Sequence, residues 1–281
     1  MSHHSIDIPQ LIILPADFLV LHEEVDERRV EPLVERLQTD GLLKNPPIAA
    51  PIDSPIGCQG RHVILDGANR TTVLWRLKAP HHLVQAVDYE EVELDTWGHL
   101  VTGISQQVFA QTLANTGLKL EPASRDEARR QLARRQIAAS ITDPDGNVLT
   151  LQRSRSLASE SEALRRLTSA YKGRSVFHRV KSDYMADLLA LYDQVTALVR
   201  FPSYVPEEIM HLADDGHKLP TGITRHVIHG RALRLNVPLA LLMDEKRTTE
   251  EKNDWLRNWS KQKLARREIR YYEESTFLFD E

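Results

Sequence analysis

Hydrophobic positions in the first hundred residues alternate between short continuous runs and helical spacing. Short apolar runs at 11–14, 48–52, 62–65 and 83–87 predict strands. Between the first two runs, apolar residues recur at i, i+3, i+4 and i+7, the spacing of an amphipathic helix, which would start at the N-cap Asp26. A second helix is predicted from about Asn69. The positions in the first helical stripe are Val30, Leu33, Val34 and Leu37, and Gly41 ends it.

The hydrophobic pattern of the remaining residues predicts mainly helices. Asp143 to Asn147, with its Pro-Asp-Gly core, is typical of a hairpin turn, and 223–228 is strand-like. We therefore predict an α/β (α+β) protein with a compact domain at 8–100 and a mainly helical domain at 101–281. Helical periodicity is found at 106–115, 124–139, 159–172, 184–200, 205–215 and 248–270.

Composition and charge narrow the class of protein. The 281 residues are 41% hydrophobic and 27% charged, as in ordinary globular chains, and the net charge of −4 argues against bulk nucleic-acid binding. Cys58 is the only cysteine, which excludes an intrachain disulfide and a four-thiolate zinc site. The chain has neither a signal-peptide pattern nor an apolar run of about 18 residues, so we expect a cytoplasmic protein that does not enter membranes.

The most informative motif is a turn from strand to helix at Ile64 to Thr71. The strand ends at Asp66, Gly67 permits a tight turn, and the following helix starts with its backbone N–H groups directed outwards. With Arg70 as a fixed cation, this arrangement predicts a phosphate cradle. Asp66 at its rim is a candidate to hold Mg²⁺ or a substrate hydroxyl, although taken alone an Asp-Gly turn with a surface ion pair is equally ordinary.

Several blocks in this order resemble the free L-serine kinases of the ParB/sulfiredoxin superfamily. The similarity extends over most of the chain, and five blocks in order are more specific than any one of them. The matching blocks are Leu21-His22-Glu23, Asn45-Pro46-Pro47-Ile48, Asp66-Gly67-Ala68-Asn69-Arg70, Asp95-Thr96-Trp97-Gly98-His99 and Lys218-Leu219-Pro220-Thr221-Gly222-Ile223-Thr224-Arg225, continued by Gly230-Arg231 and Leu235-Asn236-Val237-Pro238-Leu239.

The resemblance implies a ParB/sulfiredoxin-like N-terminal domain and specific roles for the matched residues. Glu23 corresponds to the general base on the serine hydroxyl, and Asp66 to an acid at the reacting centre. The resemblance assigns the nucleotide phosphates to Gly67, Ala68, Asn69, Arg70 and Thr71. It assigns the amino-acid pocket to Trp97, His99, Thr221, Thr224 and Arg225.

The expected reaction transfers a phosphoryl group from ATP or ADP to free L-serine. A zwitterionic acceptor needs a cation for its carboxylate, which Arg225 or Lys218 can supply. We expect Mg²⁺ to arrive with the nucleotide and expect no structural zinc. ATP and ADP present the same phosphates to the cradle, so the donor stays open, as do the exact acceptor and the oligomeric state.

The motif departs from the family pattern at one point, and two other function classes stay open. The serine kinases usually carry histidine directly before the motif arginine, where this chain has Asn69, an uncharged residue. Sulfiredoxins need cysteine at the position of Ala68, which excludes that chemistry. A DNA-binding regulator would draw on the nine basic residues from Lys246 to Arg270, but acids interrupt that run. A nucleotide sensor without turnover is the other alternative.

Overall fold

The computed structural model describes residues 8–52, 55 and 60–272 and has the mixed α/β fold that the sequence predicts. Cys58 lies outside the described residues. The chain divides into two compact units. The first unit comprises the described residues of Met1–Leu19, Glu27–Tyr89 and Ile228–Glu281, and the second comprises Val20–Asp26 and Glu90–Val227.

The first unit is organised around a five-stranded mixed sheet. Its strand order is β1-β6-β4-β5-β2, with β1 antiparallel and β4 parallel to β6, and the boundary between the units falls within β2. The elements are β1 (Gln10–Pro15), β2 (Leu19–Leu21), α1 (Glu27–Asp40), β3 (Leu42–Leu43), β4 (Ile48–Pro51), β5 (His62–Asp66), α2 (Ala68–Arg76), β6 (His81–Ala86), β15 (Val237–Pro238), α8 (Leu239–Met243) and α9 (Thr249–Ala265).

The C-terminal helices belong to this first unit because they complete its core. Leu241 and Leu256 pack with Ile13, Leu74 and Leu83 in one buried cluster. The buried side chain of Asn253 on α9 also bonds both backbone groups of Ile13, accepting from its N–H and donating to its carbonyl, each over 2.8 Å. An amide can serve a strand's donor and acceptor together, so this contact fixes α9 against β1.

The second unit contains a six-stranded antiparallel sheet of order β12-β8-β13-β10-β11-β9. A separate two-stranded ribbon pairs β7 with β14. The elements are β7 (Glu93–Thr96), β8 (Gly98–Thr102), α3 (Gln106–Asn115), β9 (Leu120–Ala123), α4 (Arg125–Ala133), β10 (Ile137–Thr142), β11 (Val148–Gln152), α5 (Leu157–Ser169), β12 (Val176–Val180), α6 (Met185–Leu191), β13 (Val195–Arg200), α7 (Pro206–Asp214) and β14 (Thr224–Val227).

That sheet corrects the expectation of a mainly helical second half. The predicted helix 124–139 ends at Ala133, after which Arg135 takes a left-handed φ of 57° and the buried strand β10 begins. The predicted helix 184–200 likewise ends at Leu191, and Gln194 at φ 52° leads into β13. Both strands are short apolar runs buried in the sheet, and such runs cannot be told from buried helix by periodicity alone.

Other predictions agree more closely with the structure. The turn at 143–147 joins β10 to β11, and the predicted helices at 106–115 and 205–215 correspond to α3 and α7. The boundary of the units differs from the predicted division at residue 100, because residues from Ile228 onward return to the first unit. Within the described part of the chain, no helix has the length and apolarity needed to span a bilayer.

Candidate active site

The turn that the sequence predicts to bind phosphate lies in the first unit, where β5 meets α2. Gly67 is the N-cap of α2 with φ 90°, a left-handed conformation that glycine adopts without strain. A Cβ at this position would lie 2.9 Å from Pro47 Cα, closer than packed atoms allow. Gly67 has no side chain with which to cap the helix, so no N-cap side chain offsets the positive end of the α2 dipole.

Asp66 is flanked by two arginines at this turn. Its Oδ2 accepts from Arg231 Nη1 over 2.5 Å, and Arg70 Nη2 lies 3.5 Å from the same oxygen. Burial alone would raise the pKa of Asp66, but Arg70, Arg231 and the Gly67 N–H outweigh it and hold that pKa below its ordinary value. Asp66 is therefore an ionised carboxylate at neutral pH, and it holds both guanidinium groups at the cradle.

Gln85 positions Arg231, a residue to which the sequence analysis assigned no role. The buried Gln85 side chain donates to Gly230 O over 3.1 Å and accepts from Ala232 N over 2.8 Å. These bonds hold the backbone on both sides of Arg231, so the guanidinium is presented by a fixed loop.

The other predicted phosphate ligands differ in what they can offer. Ala68 and Asn69 occupy the first two positions of α2 and can contribute backbone N–H groups. Thr71 is fully buried, and its hydroxyl donates to Gly67 O over 3.2 Å within the helix. The Thr71 hydroxyl therefore contacts the turn itself, and a contact with phosphate stays a prediction.

Glu23 lies in the second unit on a segment bonded to Leu219. Leu219 N donates to His22 O and Glu24 N donates to Leu219 O, each over 2.8 Å, so the chain on both sides of Glu23 is fixed. This short parallel bridge brings the Glu23 side chain to the loop at 221–224. Two blocks about 200 residues apart in sequence are joined here.

The Glu23 carboxylate is held by three neutral donors. Oε2 accepts from Gly222 N over 2.8 Å, while Oε1 accepts from both the backbone N and the hydroxyl of Thr224 over 2.6 Å. A carboxylate has about four acceptor positions. Among the described residues, Oε2 accepts a hydrogen bond from Gly222 N only, so its second acceptor position has no protein partner there.

The hydroxyl of Thr224 links Glu23 to a buried histidine. Thr224 Oγ1 has one proton, which it donates to Glu23, so it accepts from His22 Nε2 over 2.8 Å. The network therefore assigns the proton of His22 to Nε2. Thr224 therefore contacts the Glu23 carboxylate and His22, and its predicted contact with a substrate stays a prediction.

His99 is buried, with both ring nitrogens bonded inside the protein. Nε2 donates to Gly222 O over 2.9 Å, and Nδ1 accepts from Tyr171 OH over 2.7 Å. Burial lowers the pKa of His99 to about 4, against the opposing bond to Gly222, so the ring is neutral at pH 7. His99 thus contacts the carbonyl of Gly222 from inside the second unit, and its predicted contact with a substrate stays a prediction.

The remaining predicted pocket residues separate into different groups. Arg225 on β14 pairs with Asp95 on β7 over 3.2 Å and lies 5.0 Å from the centre of the ring of Trp97, the residue that follows β7, so these three side chains form one cluster. Thr221 donates its hydroxyl to Glu24 O. Lys218 is half-buried next to the Leu219 bridge.

Glu24 differs sharply from Glu23 in its surroundings. Its carboxylate pairs with Arg165 Nε over 2.8 Å and with Lys172 Nζ over 3.0 Å. Two cations therefore neutralise Glu24, which ties its segment to the neighbouring helix. Glu24 is a natural control for experiments on Glu23.

Two further predictions concern metals and nucleic acid. Among residues 8–52, 55 and 60–272, no group of three or more His, Cys, Asp or Glu side chains is placed to hold a metal ion. On and around α9, basic residues pair with nearby acids, namely Arg247 with Asp244, Arg257 with Asp254 and Lys263 with Glu268. Such pairing is typical of a solvated helix.

Comparison with known proteins identifies similar chains over nearly the whole length. The chain is 26% identical over 275 residues to the ATP-dependent L-serine kinase SbnI of Staphylococcus aureus (strain NCTC 8325 / PS 47), a match covering 96% of this chain and 97% of that protein. The resemblance to the free serine kinases is confirmed. No protein-family model matches the chain.

Solved structures agree on the fold. A C-terminally truncated SbnI from Staphylococcus aureus matches with a TM-score of 0.69 and 24% identity, covering 92% of this chain and 97% of that one. A free serine kinase with one glutamate changed to alanine, in complex with ADP, matches with a TM-score of 0.68 and 20% identity, covering 85% and 98%. This chain therefore shares the fold of the free serine kinase structures.

Several residues now placed near the predicted site were missed by the sequence analysis. Gln85 and Tyr171 carry no local signal, since a lone glutamine in a strand and a lone tyrosine after a helix are common in any core. His22 and Arg231 stood within the matched blocks without an assigned role. These two residues are connected to the predicted site by hydrogen bonds to partners more than 150 residues away, namely Thr224 for His22 and Asp66 for Arg231.

Proposed function

We propose that this chain is a phosphotransferase that moves a phosphoryl group from ATP or ADP to the hydroxyl of free L-serine, giving O-phospho-L-serine. The observation that carries the proposal is the Glu23 carboxylate, held by neutral donors with an acceptor position available on Oε2. The similarity to SbnI, named as an ATP-dependent L-serine kinase, supports the same reaction class.

The nucleotide is assigned to the first unit. The phosphates bind the backbone N–H groups at the start of α2, with Arg70 and Arg231 as cations. Phosphoryl transfer passes through a loose transition state whose charge is spread over the phosphoryl oxygens, so fixed cations and oriented N–H groups are the expected means of catalysis. The Asn69 departure leaves this cradle intact because its donors are the backbone and the arginines.

The acceptor is assigned to the second unit. The serine hydroxyl oxygen attacks the terminal phosphorus, the bond from that phosphorus to the bridging oxygen breaks, and the hydroxyl proton passes to Glu23 Oε2. Three uncharged donors orient the Glu23 carboxylate, and Oε2, which accepts from the Gly222 N–H, is the oxygen to which we assign the proton. A positioned base of this kind contributes about 10²–10⁴-fold.

Magnesium fits the cradle as an ion that arrives with the nucleotide. Asp66 is ionised, and Mg²⁺ commonly binds one or two carboxylates together with substrate phosphates and water. When bound, Mg²⁺ would neutralise charge on the terminal phosphates. Asp66 would hold it while Arg70 and Arg231, which share the Asp66 carboxylate, turn to the phosphate oxygens.

Phosphorus NMR on the purified protein with Mg²⁺ and L-serine tests the proposal, in parallel samples with ATP and with ADP. We expect a phosphomonoester signal that requires L-serine, and the similarity to SbnI favours ATP as the donor. The donor is the nucleotide whose signals are consumed. If neither nucleotide yields the phosphomonoester, the proposed function is wrong, and nucleotide binding alone would then favour a sensor.

A further inference from the structure

Arg179 lies against the loop at 221–224, whose backbone donates hydrogen bonds to Glu23. Gly222 has φ +82°, and a Cβ built on it would lie 2.5 Å from Arg179 Nε and 2.9 Å from Arg179 Nη2. The guanidinium group therefore occupies the space that a side chain at residue 222 would fill. Since the N–H of the same glycine donates to Glu23 Oε2, Gly222 is contacted by both the cation and the carboxylate.

The sheet of the second unit fixes Arg179 in this place. On β12, Arg179 is directly opposite His99 of β8, and opposed residues in an antiparallel pair project from the same face. His99 reaches the carbonyl of Gly222 from that face. Two neighbouring side chains of one sheet therefore converge on the same glycine, the buried histidine at its carbonyl and the exposed arginine at its α-carbon.

Arg179 also differs from the nearby cations in having no acidic partner. Arg225 pairs with Asp95, while Arg165 and Lys172 pair with Glu24. Over the part of the chain that the structure describes, no carboxylate lies within ion-pair distance of Arg179, which is exposed. A guanidinium is planar and binds a carboxylate through two parallel hydrogen bonds, so this group suits an anionic ligand of that shape.

We propose that Arg179 binds the α-carboxylate of the amino-acid acceptor, with Gly222 as the floor of the subsite and Glu23 at the acceptor hydroxyl. This inference rests on the proposed function. In a β-hydroxy amino acid only two carbon atoms separate the hydroxyl oxygen from the carboxylate carbon, so the cation and the base must lie close together. Arg179 and Glu23 meet that requirement because they contact the same residue.

This assignment revises the sequence-based candidates for the carboxylate cation. Arg225 is engaged by Asp95 and the Trp97 ring, and releasing it would cost both contacts. Arg179 was not singled out from the sequence because an exposed arginine on an edge strand carries no local signal. Its significance comes only from its contact with a glycine 43 positions further along the chain.

Calorimetric binding of L-serine and L-serinamide tests the proposal, because serinamide replaces the carboxylate with a neutral amide. We expect the wild-type protein to bind L-serine at least about tenfold more tightly than serinamide, from the strength of hydrogen bonds between charged groups. Arg179→Gln should lower the L-serine affinity about 10–100-fold and leave serinamide binding unchanged. Arg179→Lys should fall between the two, since lysine keeps the charge without the planar fork.

The matched control is Arg174→Gln, which removes the same charge from an exposed arginine just before β12. It should keep the wild-type preference for the carboxylate. An unchanged preference in Arg179→Gln would overturn the proposal, as would a loss of ADP affinity in place of L-serine affinity. Equal binding of serine and serinamide by the wild-type protein would overturn it as well.

Phosphoryl transfer measured on the same samples separates this proposal from the proposed function. If L-serine binding depends on Arg179 but no phosphomonoester forms, the kinase assignment is wrong while the carboxylate subsite stands. If the wild-type protein phosphorylates serine and serinamide equally well, the kinase assignment stands and the role of Arg179 is wrong. In an active enzyme, Arg179→Gln should raise KM for L-serine more than it lowers kcat.

Discussion

Asp66 and Glu23 are two carboxylates that the same fold surrounds in opposite ways. Asp66 in the first unit is paired with two guanidinium groups, which hold its pKa below the ordinary value. Glu23 in the second unit accepts from two backbone N–H groups and a hydroxyl, and the adjacent Glu24 pairs with Arg165 and Lys172. The guanidinium groups beside Asp66 stabilise its anionic form, whereas the three donors to Glu23 carry no charge and fix the direction of its carboxylate.

The different surroundings of Asp66 and Glu23 explain why we assign different roles to the two carboxylates. Asp66 organises positive charge at an anion-binding turn, and Glu23 presents an oxygen to a proton. The chemical type alone could not separate them, since both are carboxylates just before a helix or at a strand end. The partners that distinguish them are distant in sequence, such as Arg231 for Asp66 and Gly222 for Glu23.

The largest expected effect is that of Glu23→Gln. This change keeps the shape of the side chain but removes the proton acceptor, so kcat for serine phosphorylation should fall about 10²–10⁴-fold. The dissociation constant for ADP should stay unchanged because Glu23 makes no contact assigned to the nucleotide. Steady-state kinetics together with calorimetric ADP binding checks both parts, and a parallel loss of ADP affinity would mean that Glu23 belongs to the cradle.

The next effect concerns acid stability and the buried His99. Its pKa is lowered to about 4 in the folded protein, so the unfolded chain binds the proton first as the pH falls below 6.5. Stability present above pH 6.5 should therefore be lost progressively down to about pH 4, by up to about 3 kcal/mol. Thermal melts of the wild-type protein and His99→Gln between pH 7 and pH 4 measure this.

The His99→Gln variant is the control for the dependence of thermal stability on pH. Glutamine can donate to Gly222 and accept from Tyr171 but does not titrate, so the melting temperature of His99→Gln should fall less steeply with acid. His82, whose pKa burial lowers to about 3, contributes the same trend in both proteins and cancels in the comparison. Identical slopes for the two proteins would contradict the assignment of a neutral, buried His99.

A smaller effect is expected for Gly67→Ala at the cradle. Alanine in the left-handed conformation costs about 1–2 kcal/mol, and its Cβ would also meet Pro47 Cα. The turn should open, and ADP affinity should fall about 10–30-fold. Equilibrium dialysis of ADP measures this, with Gly146→Ala as the control, because Gly146 has the same φ of 90° with no atom within contact distance of an added Cβ.

The smallest expected effect is that of Asp66→Asn on the magnesium dependence of nucleotide binding. ATP should bind the wild-type protein more tightly when Mg²⁺ is present, and the variant should lose that gain, about tenfold. Without Mg²⁺ the variant should bind ATP at least as well as the wild-type protein, because Arg70 and Arg231 no longer share a carboxylate. A variant that keeps the full magnesium dependence would remove Asp66 from the metal site.

The first unit was largely predictable from the sequence because its signals are local. Periodicity located α1, short apolar runs located β1, β4 and β5, and the Asp-Gly turn identified the start of α2. The second unit was harder, since α4 and β10 form a continuous pattern that only the left-handed turn at Arg135 divides. Strand pairing across the chain, which builds the six-stranded sheet, leaves no mark in a single sequence.

The residues of the candidate site also differ in how far the sequence could predict them. Asp66, Gly67 and Arg70 could be chosen from one motif with a physical rationale, and Glu23 came from the resemblance. The positioning roles of His99 and Thr224 required the structure, because a buried residue bonded on every side and an exposed ligand look alike in sequence. The proposed role of Arg179 depended most on the structure, because it rests on the contact of Arg179 with Gly222.

The measurement that tests the central claim most directly is single-turnover phosphoryl transfer to L-serine, with enzyme in excess over Mg-ATP. The wild-type protein, Glu23→Gln and Glu24→Gln are compared at saturating serine, so that only the chemical step is observed. We predict that Glu23→Gln slows the transfer at least about 100-fold, while Glu24→Gln, which loses only ion pairs, keeps the wild-type rate. Equal rates in the wild-type protein and Glu23→Gln, or a larger loss in Glu24→Gln, would contradict the assignment of Glu23 as the base.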